Sequence, residues 1–134
     1  MDYDLDLPLA LTRRGQVHPG PPLHANQRLH RFVEAKLKRM VRHAAHWQAK
    51  QAAVPCADHI EVGLHYAPGS IGRGQFDPSN LMPCQKPALD GVVDAGVVPN
   101  DTPQYVTELM PTIHTGPGPR RLWLRITITR EATP

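Results

Sequence analysis

Four carboxylates interrupt a segment that is otherwise rich in apolar residues, glycine and proline. The segment, residues 76–101, reads FDPSNLMPCQKPALDGVVDAGVVPND. Its acids are Asp77, Asp90, Asp94 and Asp101, and Lys86 lies among them. A solvated surface would scatter acids among lysine, serine and glutamine, whereas these acids interrupt a run suited to packing. Their placement makes them candidates for a functional site.

The chemistry open to these side chains is hydrolysis of a phosphodiester. Negative charge grows on the phosphodiester in its transition state, so bare carboxylates cannot cleave it efficiently. Carboxylates can hold one or two Mg²⁺ ions, with Mn²⁺ as a substitute, that activate water and neutralise the attacking and leaving oxygens. We therefore predict Asp77, Asp90 and Asp101 as metal ligands, and the same acids together with Lys86 as catalytic residues.

A short helix is predicted to carry the central part of this set. Residues 86–95 place apolar side chains on one side, and a glycine follows where helices commonly end. Pro87 suits the first turn of such a helix, so a helix that started much earlier would be interrupted. On this helix Lys86, Asp90 and Asp94 are spaced i, i+4 and i+8, so they share one face and could meet a common ligand.

A structural role is also open to each of these acids. Asp77 could cap a turn ahead of Pro78, and Asp90 could form a helix salt bridge to Lys86. Asp101 lies in an Asn-Asp-Thr-Pro sequence typical of turns. For any one acid the structural role is the more frequent outcome, and spacing alone does not decide between the two.

A basic stretch precedes the acidic segment. Residues 28–50 contain seven of the 15 lysines and arginines against one acid, Glu34. Asn26 is a good N-cap, and apolar residues recur at helical spacing to about Ala52, which predicts an amphipathic helix with an electropositive outer side. Such a side suits a nucleic-acid backbone, although a charge run alone is more often a solvated helix face. The predicted DNA contacts are Arg28, Arg31, Lys38, Arg39, Arg42 and, in a glycine-rich loop, Arg73.

Strand patterns frame the two helices. Pro8 marks the first strand as an edge strand, and apolar alternation supports the second and the last. The sequence TGPGPR suits a hairpin between the last two strands. The predicted strands are residues 5–11, 57–66, 104–114 and 121–130. We expect an α/β (α+β) fold, in which a small mixed sheet of about four strands packs with two main helices.

Composition sets the remaining bounds. A chain of 134 residues fits one domain, 1–134, and its net charge of +3 suggests an anionic partner. Cys56 and Cys84 have no spacing typical of a disulfide framework or a metal knuckle, so we expect reduced thiols. No secretory signal or membrane-spanning segment is apparent, which favours a cytoplasmic location. Flexible loops are expected near residues 12–25, 67–76 and 115–120.

The motifs taken together resemble a known family. FDPSNL, then Lys86, then LDGVVDAGVVPND at residues 89–101, are similar to the pattern of RusA-like Holliday-junction resolvases. HANQRLHRFVEAKLKR, residues 24–39, is similar to the opening of the first helix in phage-type members. The matches span about residues 26–106. The resemblance implies a small α/β homodimer that binds four-way DNA and cuts symmetrically related strands with Mg²⁺, a task that suits twofold symmetry.

The resemblance also implies a role for each matched residue. It pairs Asp77 with the first family acid, Lys86 with the motif lysine, Asp90 with the helix acid and Asp101 with the second member of an Asp-Asp pair. Ser79 and Asn100 stand where members of the family can have further acids, and neither brings charge to a metal. Asp90 would then have to serve as a ligand. The alternative function is a branched-DNA-binding module with weak or no nuclease activity.

A transition-metal protein is a third hypothesis. The chain has eight histidines, but it has no His-Glu-x-x-His or paired Cys-x-x-Cys spacing. The pool is His24, His30, His43, His46, His59, His65 and His114, with Cys56 near His59 in sequence. The aromatic residues are too few for a stacking platform, so Trp47 and Trp123 are assigned to core or interface packing.

Overall fold

The computed structural model describes residues 1–9, 20–23, 31–69 and 77–133. These residues form a mixed α+β fold, in which a five-stranded sheet packs with two α-helices. The elements in chain order are β1 (Asp2–Leu7), α1 (Arg31–Gln51), β2 (Ala57–Ala67), a 3₁₀ helix (Pro78–Leu81), α2 (Met82–Asp94), β3 (Val106–Glu108), β4 (Thr112–Ile113) and β5 (Arg121–Glu131). The predicted fold class is confirmed, with five strands in place of about four.

The strands β2 and β5 form the centre of the sheet. β5 runs antiparallel to β2 and to the edge strand β1, whereas β3 and β4 run parallel to β2 along its other side. The predicted hairpin between the last two strands is wrong, because β4 and β5 lie on opposite sides of β2. The segment 114–120 therefore passes the C-terminal end of β2 instead of closing a two-strand turn.

Two predicted strands have different boundaries in the structure. β1 begins at Asp2 and ends before Pro8, at the sheet edge as predicted, while residues 10–11 of the predicted strand lie outside the described residues. The predicted strand 104–114 is divided into β3 and β4. Pro111 lies in the gap between them and has no N–H to donate to a ladder, so the pairing with β2 is interrupted there.

Gln85 forms hydrogen bonds with backbone groups of β2 and of the segment between β3 and β4. Its Oε1 accepts a hydrogen bond from the Leu64 N–H of β2 at 2.9 Å, and its Nε2 donates to the carbonyl oxygen of Leu109 at 2.9 Å. The side chain is fully buried. A buried backbone group left without a partner costs about 1–3 kcal/mol, so these two bonds fasten α2 to the sheet where β3 and β4 leave it open.

The helix α2 begins at Met82, four residues earlier than predicted, and Pro87 lies inside it. A proline at that position removes one helical hydrogen bond. Packing offsets the loss, because Leu89 and Val92 are fully buried and each contributes about 1.5–3 kcal/mol of apolar burial. The helix ends as predicted, with Gly96 after its last turn at a φ of 86° that favours glycine.

The helix α1 packs against α2 along a stripe of small side chains. Val41, Ala45 and Ala49 are buried at i, i+4 and i+8. Gly91 of α2 faces this stripe, and a Cβ at that position would meet the carbonyl oxygen of Arg42 and lie 2.9 Å from the Ala45 Cβ. The two helices approach closely because position 91 has no side chain. The predicted N-cap, residue 26, lies outside the described residues.

Other predictions can be placed on the same framework. Cys56 and Cys84 are free thiols, and burial raises the pKa of Cys84 to about 12. Of the predicted loops, most of 12–25 and 67–76 lies outside the described residues, and 115–120 connects β4 to β5. No helix within the described ranges is long and apolar enough to cross a membrane.

Candidate active site and adjoining basic groove

Lys86 lies between two of the predicted site acids. Its Nζ donates a hydrogen bond to Asp90 Oδ1 at 2.9 Å and a second to Asp101 Oδ2. Lys86 and Asp90 are one turn apart on α2, whereas Asp101 comes from the loop that follows the helix. The structure therefore brings together three of the four predicted catalytic residues: Lys86, Asp90 and Asp101. The predicted i,i+4 salt bridge between Lys86 and Asp90 is part of the same cluster.

The charges in this cluster stabilise one another. Desolvation disfavours the charged form of Lys86, but the hydrogen bonds to Asp101 and Asp90 outweigh it, so the pKa of Lys86 is raised. The hydrogen bond from Lys86 lowers the pKa of Asp101 below its ordinary value. All three side chains remain partly exposed, with 52% of the Lys86 side chain accessible. The cluster is thus a charged site open to a ligand from solvent.

Asp77 is used differently. Its Oδ1 accepts hydrogen bonds from the Ser79 N–H at 3.0 Å and the Ser79 Oγ at 2.8 Å, which caps the 3₁₀ helix ahead of α2. This is the turn-capping role that the sequence also allowed. Among the residues that the structure describes, no three His, Cys, Asp or Glu side chains are grouped so that they could hold a metal. The predicted convergence of Asp77, Asp90 and Asp101 is therefore not formed.

Asn100 has a matching role beside Asp101. Its Oδ1 accepts hydrogen bonds from the Thr102 N–H at 3.0 Å and the Thr102 Oγ1 at 2.6 Å. A short side-chain amide that bonds the backbone two residues on fixes a turn. Asn100 thereby shapes the loop that presents Asp101 to Lys86. The Asn-Asp-Thr-Pro sequence predicted a turn here, and the structure shows that Asn100 forms it through Thr102.

Asp94 does not join the lysine cluster (Lys86, Asp90 and Asp101), although it shares the predicted helix face. Its two oxygens accept hydrogen bonds from Arg42 of α1, at 2.6 Å from Nε and 2.8 Å from Nη2. The hydrogen bond from Arg42 lowers the pKa of Asp94. Arg42, a predicted DNA contact, is therefore partly neutralised and links α1 to α2. This bidentate pair fixes the orientation of the two helices beside the cluster.

A groove between α1 and α2 connects the lysine cluster to the basic helix. Its volume is about 350 Å³, and a second cavity of about 800 Å³ lies beside it along α1. The groove is lined by Glu34, Lys38, Arg39, Arg42, Pro83, Lys86, Pro87 and Asp90. Lys38 pairs with Glu34 at 3.2 Å, whereas Arg39, which also lines the second cavity, has no ion pair within the described part of the chain. Arg39 is thus the cation best placed to accept a phosphate.

Of the three remaining predicted DNA contacts, the structure describes Arg31. Arg31 begins α1, and its guanidinium lies 5.1 Å from the ring centroid of Phe32. Arg28 and Arg73 lie outside the described residues. Of the predicted basic set, Lys38, Arg39 and Arg42 therefore adjoin the groove.

The donor set beside Lys86 suits a single Mg²⁺ ion. One cationic group, Nζ, already contacts both Asp90 and Asp101, so these two carboxylates are close enough to share a cation. Mg²⁺ commonly takes one or two carboxylates and completes its octahedron with water and substrate phosphate oxygens. Asp90 and Asp101 fit that ligand set, whereas Asp77 is not grouped with them and its Oδ1 accepts two hydrogen bonds from Ser79.

Among the histidines of the pool that the structure describes, His65 and His114 form one pair of facing ring nitrogens, whereas His24 and His30 lie outside the described residues. His65 Nδ1 lies 2.7 Å from His114 Nε2, and both rings stack with Trp123 at centroid distances of 5.3 and 5.0 Å. The pairing of β4 with β2 places the two histidines together. Because they are distant in sequence, their spacing does not predict this contact. Burial, followed by the charges of Arg125 and His114, lowers the pKa of His65. Among the described residues no third ligand completes this pair.

Comparisons with known proteins find no match, so the proposed function rests on the site. No protein-family model matches the sequence, and no curated protein matches it. The resemblance to RusA-like resolvases therefore depends on the sequence motifs around Asp77, Lys86, Asp90 and Asp101. The geometry adds the lysine cluster and the adjoining basic groove.

Proposed function

We propose that this chain is a Mg²⁺-dependent, structure-selective endonuclease that hydrolyses phosphodiesters in branched DNA, such as four-way junctions. The observation that carries the proposal is the contact of Lys86 with both Asp90 and Asp101 beside a groove lined by Arg39. Acids that can hold a metal lie next to cations that can hold phosphates. This combination matches the needs of phosphodiester hydrolysis.

The residues of the chain have separable tasks in this proposal. Asp90 and Asp101 would hold Mg²⁺, or Mn²⁺ in its place, which supplies water activation and neutralisation of the reacting oxygens. Lys86 donates hydrogen bonds to the charged phosphate as negative charge grows in the transition state. Arg39 binds a backbone phosphate in the groove, and the Arg42–Asp94 pair keeps α1 and α2 in register.

We further propose that the active form is a homodimer in the cytoplasm of a bacterial or phage-infected cell. A four-way junction presents two equivalent strands, and a twofold dimer presents two equivalent sites to them. Symmetric nicks would follow from this arrangement.

The test is cleavage of a labelled synthetic four-way junction in Mg²⁺, in Mn²⁺ and in EDTA. We expect metal-dependent nicks at symmetric positions, and a loss of roughly 100-fold or more in Asp90→Asn and Asp101→Asn because each removes a charge that holds the metal. Asp58→Asn is the matched control, since Asp58 bonds Thr133 away from the cluster. Cleavage that persists in both site variants, or in EDTA, would overturn the proposal.

Binding is tested separately by charge reversal. Arg39→Glu should weaken junction binding and reduce its salt dependence, because a protein that neutralises one phosphate fewer releases about one counterion fewer from the DNA. Arg130→Glu, an exposed arginine near the end of β5, is the control. Equal affinities of the two variants would contradict the assignment of the groove.

A second candidate is a branched-DNA-binding module with weak or no nuclease activity. The observation that favours it is the engagement of Asp77 with Ser79 and of Asn100 with Thr102, which leaves two carboxylates at the lysine cluster. A junction that is retarded in gels but remains uncut at every Mg²⁺ and Mn²⁺ concentration would support this candidate over the endonuclease.

A further inference from the structure

Trp47 is an exposed aromatic residue on the basic helix α1. It is 52% exposed, whereas Trp123, the other tryptophan of the chain, is 7% exposed. Its neighbours on the helix are two imidazoles, His43 at 5.9 Å and His46 at 5.5 Å between ring centroids, both in edge-on arrangements. The exposure of Trp47 contradicts the predicted core packing, whereas the predicted interface packing is not tested and remains a prediction.

Trp47 lies in a row of basic residues on α1 that includes Arg39 of the groove. Arg39, His43 and Trp47 are spaced i, i+4 and i+8 on α1, and Lys50 follows in the last turn. With a rise of about 1.5 Å per residue, Arg39 and Lys50 are roughly 16 Å apart along the axis. This length corresponds to roughly five stacked nucleotides at about 3.4 Å each. Arg39 lines both cavities, so the row begins at the groove and extends away from it.

The charge of this row suits an anionic strand. The cavity along α1 is lined by Lys36, Arg39, Met40, Arg42, His43, His46 and Asp94. Its one carboxylate, Asp94, is bound by Arg42. The Nδ1 atom of His46 is buried and has no hydrogen-bond partner within the described part of the chain. Cations that follow a backbone, interrupted by an aromatic ring, form the pattern by which proteins hold single strands.

We propose that Trp47 stacks on an unpaired base of a single-stranded segment that leaves the groove along α1, with Arg39 and Lys50 contacting its phosphates. This inference rests on the DNA-binding part of the proposed function and adds a substrate preference to it. Stacking needs an exposed base face, which an intact duplex does not offer along its side. The preferred substrate is therefore a branched DNA with a single-stranded arm or flap, in preference to a fully paired junction.

Tryptophan fluorescence can report on Trp47 alone. In Trp123→Phe, Trp47 is the sole tryptophan, and we expect saturable quenching by a 15-nucleotide oligothymidine and little quenching by a blunt 15-base-pair duplex. Trp47→Phe in the native background reports Trp123 alone, and its signal should not respond. This second variant keeps the experiment valid if Trp123→Phe does not fold, because the native signal minus that of Trp47→Phe gives the same quantity.

The affinity for oligothymidine, compared among variants, is a second test of the stacking role of Trp47. Trp47→Ala should weaken oligothymidine binding by roughly 5- to 150-fold, the equivalent of one base–aromatic stack, while Trp47→Phe retains most of it. Met110→Ala is the control, since Met110 is 60% exposed outside α1. Labelled-oligonucleotide anisotropy measures all four proteins, including the unaltered one.

The outcomes separate this inference from the proposed function. Oligothymidine binding without a change in Trp47 fluorescence, or with equal affinity in Trp47→Ala, would overturn the stacking role and leave the endonuclease proposal intact. Quenching that depends on protein concentration without DNA would also overturn it, because it would identify Trp47 as a contact between two copies. Failure of the unaltered protein to bind any DNA would overturn the proposed function itself.

Discussion

The residues of the site divide by what their oxygens already bond. Asp90 and Asp101 bond the half-exposed head group of Lys86, whereas Oδ1 of Asp77 and Oδ1 of Asn100 bond the backbone and hydroxyl two residues on. A carboxylate held by Lys86 can exchange that cation for another at small cost, because exposed ion pairs contribute little to stability. A side chain that fixes a turn cannot leave without loosening the loop. This difference explains why two acids remain available and Asp77 does not join them.

Replacement of Lys86 tests whether the two acids form a cation site. Lys86→Met leaves Asp90 and Asp101 without the cation that they share, so we expect Mn²⁺ to bind more tightly while junction cleavage falls. Electron paramagnetic resonance of free Mn²⁺ measures the binding without relying on activity. Arg130→Met, which removes an exposed cation near the end of β5, is the control. Unchanged Mn²⁺ affinity in Lys86→Met would show that the acids do not act together.

Contacts between the elements hold the site in place. Each contact depends on one side chain or, at Gly91, on the absence of one. Gln85 joins α2 to the sheet through Leu64 and Leu109, and the Arg42–Asp94 pair joins α2 to α1. Where the helices cross, Gly91 leaves room for the backbone of α1. Lys86 and Asp90 are thereby presented at a fixed distance from the basic helix, although an internal proline interrupts the hydrogen bonding of α2.

The helix crossing predicts a strong difference between two glycines. Gly91→Ala places a Cβ against the Arg42 carbonyl oxygen and should destabilise the fold by about 1–3 kcal/mol through overpacking. Gly63→Ala is the matched control, because its Cβ would meet the Leu109 Cβ at an ordinary 3.5 Å. Urea unfolding followed by circular dichroism compares them. Equal stabilities of the two variants would contradict the close approach of the helices.

In the molecule as a whole, the two faces of the sheet have different roles. One face packs its apolar residues with α1 and α2 in a single core. The other face is polar and pairs across strands, with Arg125 on Asp4 at 2.8 Å and Arg121 on Asp6 at 2.7 Å. The stack of His65, His114 and Trp123 lies on this second face, where it joins β5, β2 and the segment that follows β4.

This stack predicts a pH dependence of stability. The pKa of His65 is lowered, mainly by burial and then by Arg125 and His114, against an opposing effect of Asp4. The unfolded chain therefore takes up a proton at higher pH than the folded one, so stability falls as the pH drops below the ordinary value of 6.5 and levels off below the folded pKa. His65→Gln should reduce the loss of unfolding free energy between pH 7.5 and 5, as measured in urea.

The control for that measurement is His43→Gln, which removes an exposed imidazole from α1, outside the stack. Equal pH dependence of His65→Gln and the unaltered protein would show that His65 does not contribute.

The sequence by itself determined the fold class, the long strands β2 and β5, the helix α1 and the spacing that joins Lys86 to Asp90. These features follow from periodicities of two or 3.6 residues, which are local. Tertiary structure alone decided that Asp101 meets Lys86, that Arg42 binds Asp94, and that β4 and β5 lie on opposite sides of β2. Contacts between distant segments depend on which apolar faces bury one another, and packing of this kind also overrode the local cost of Pro87 within α2.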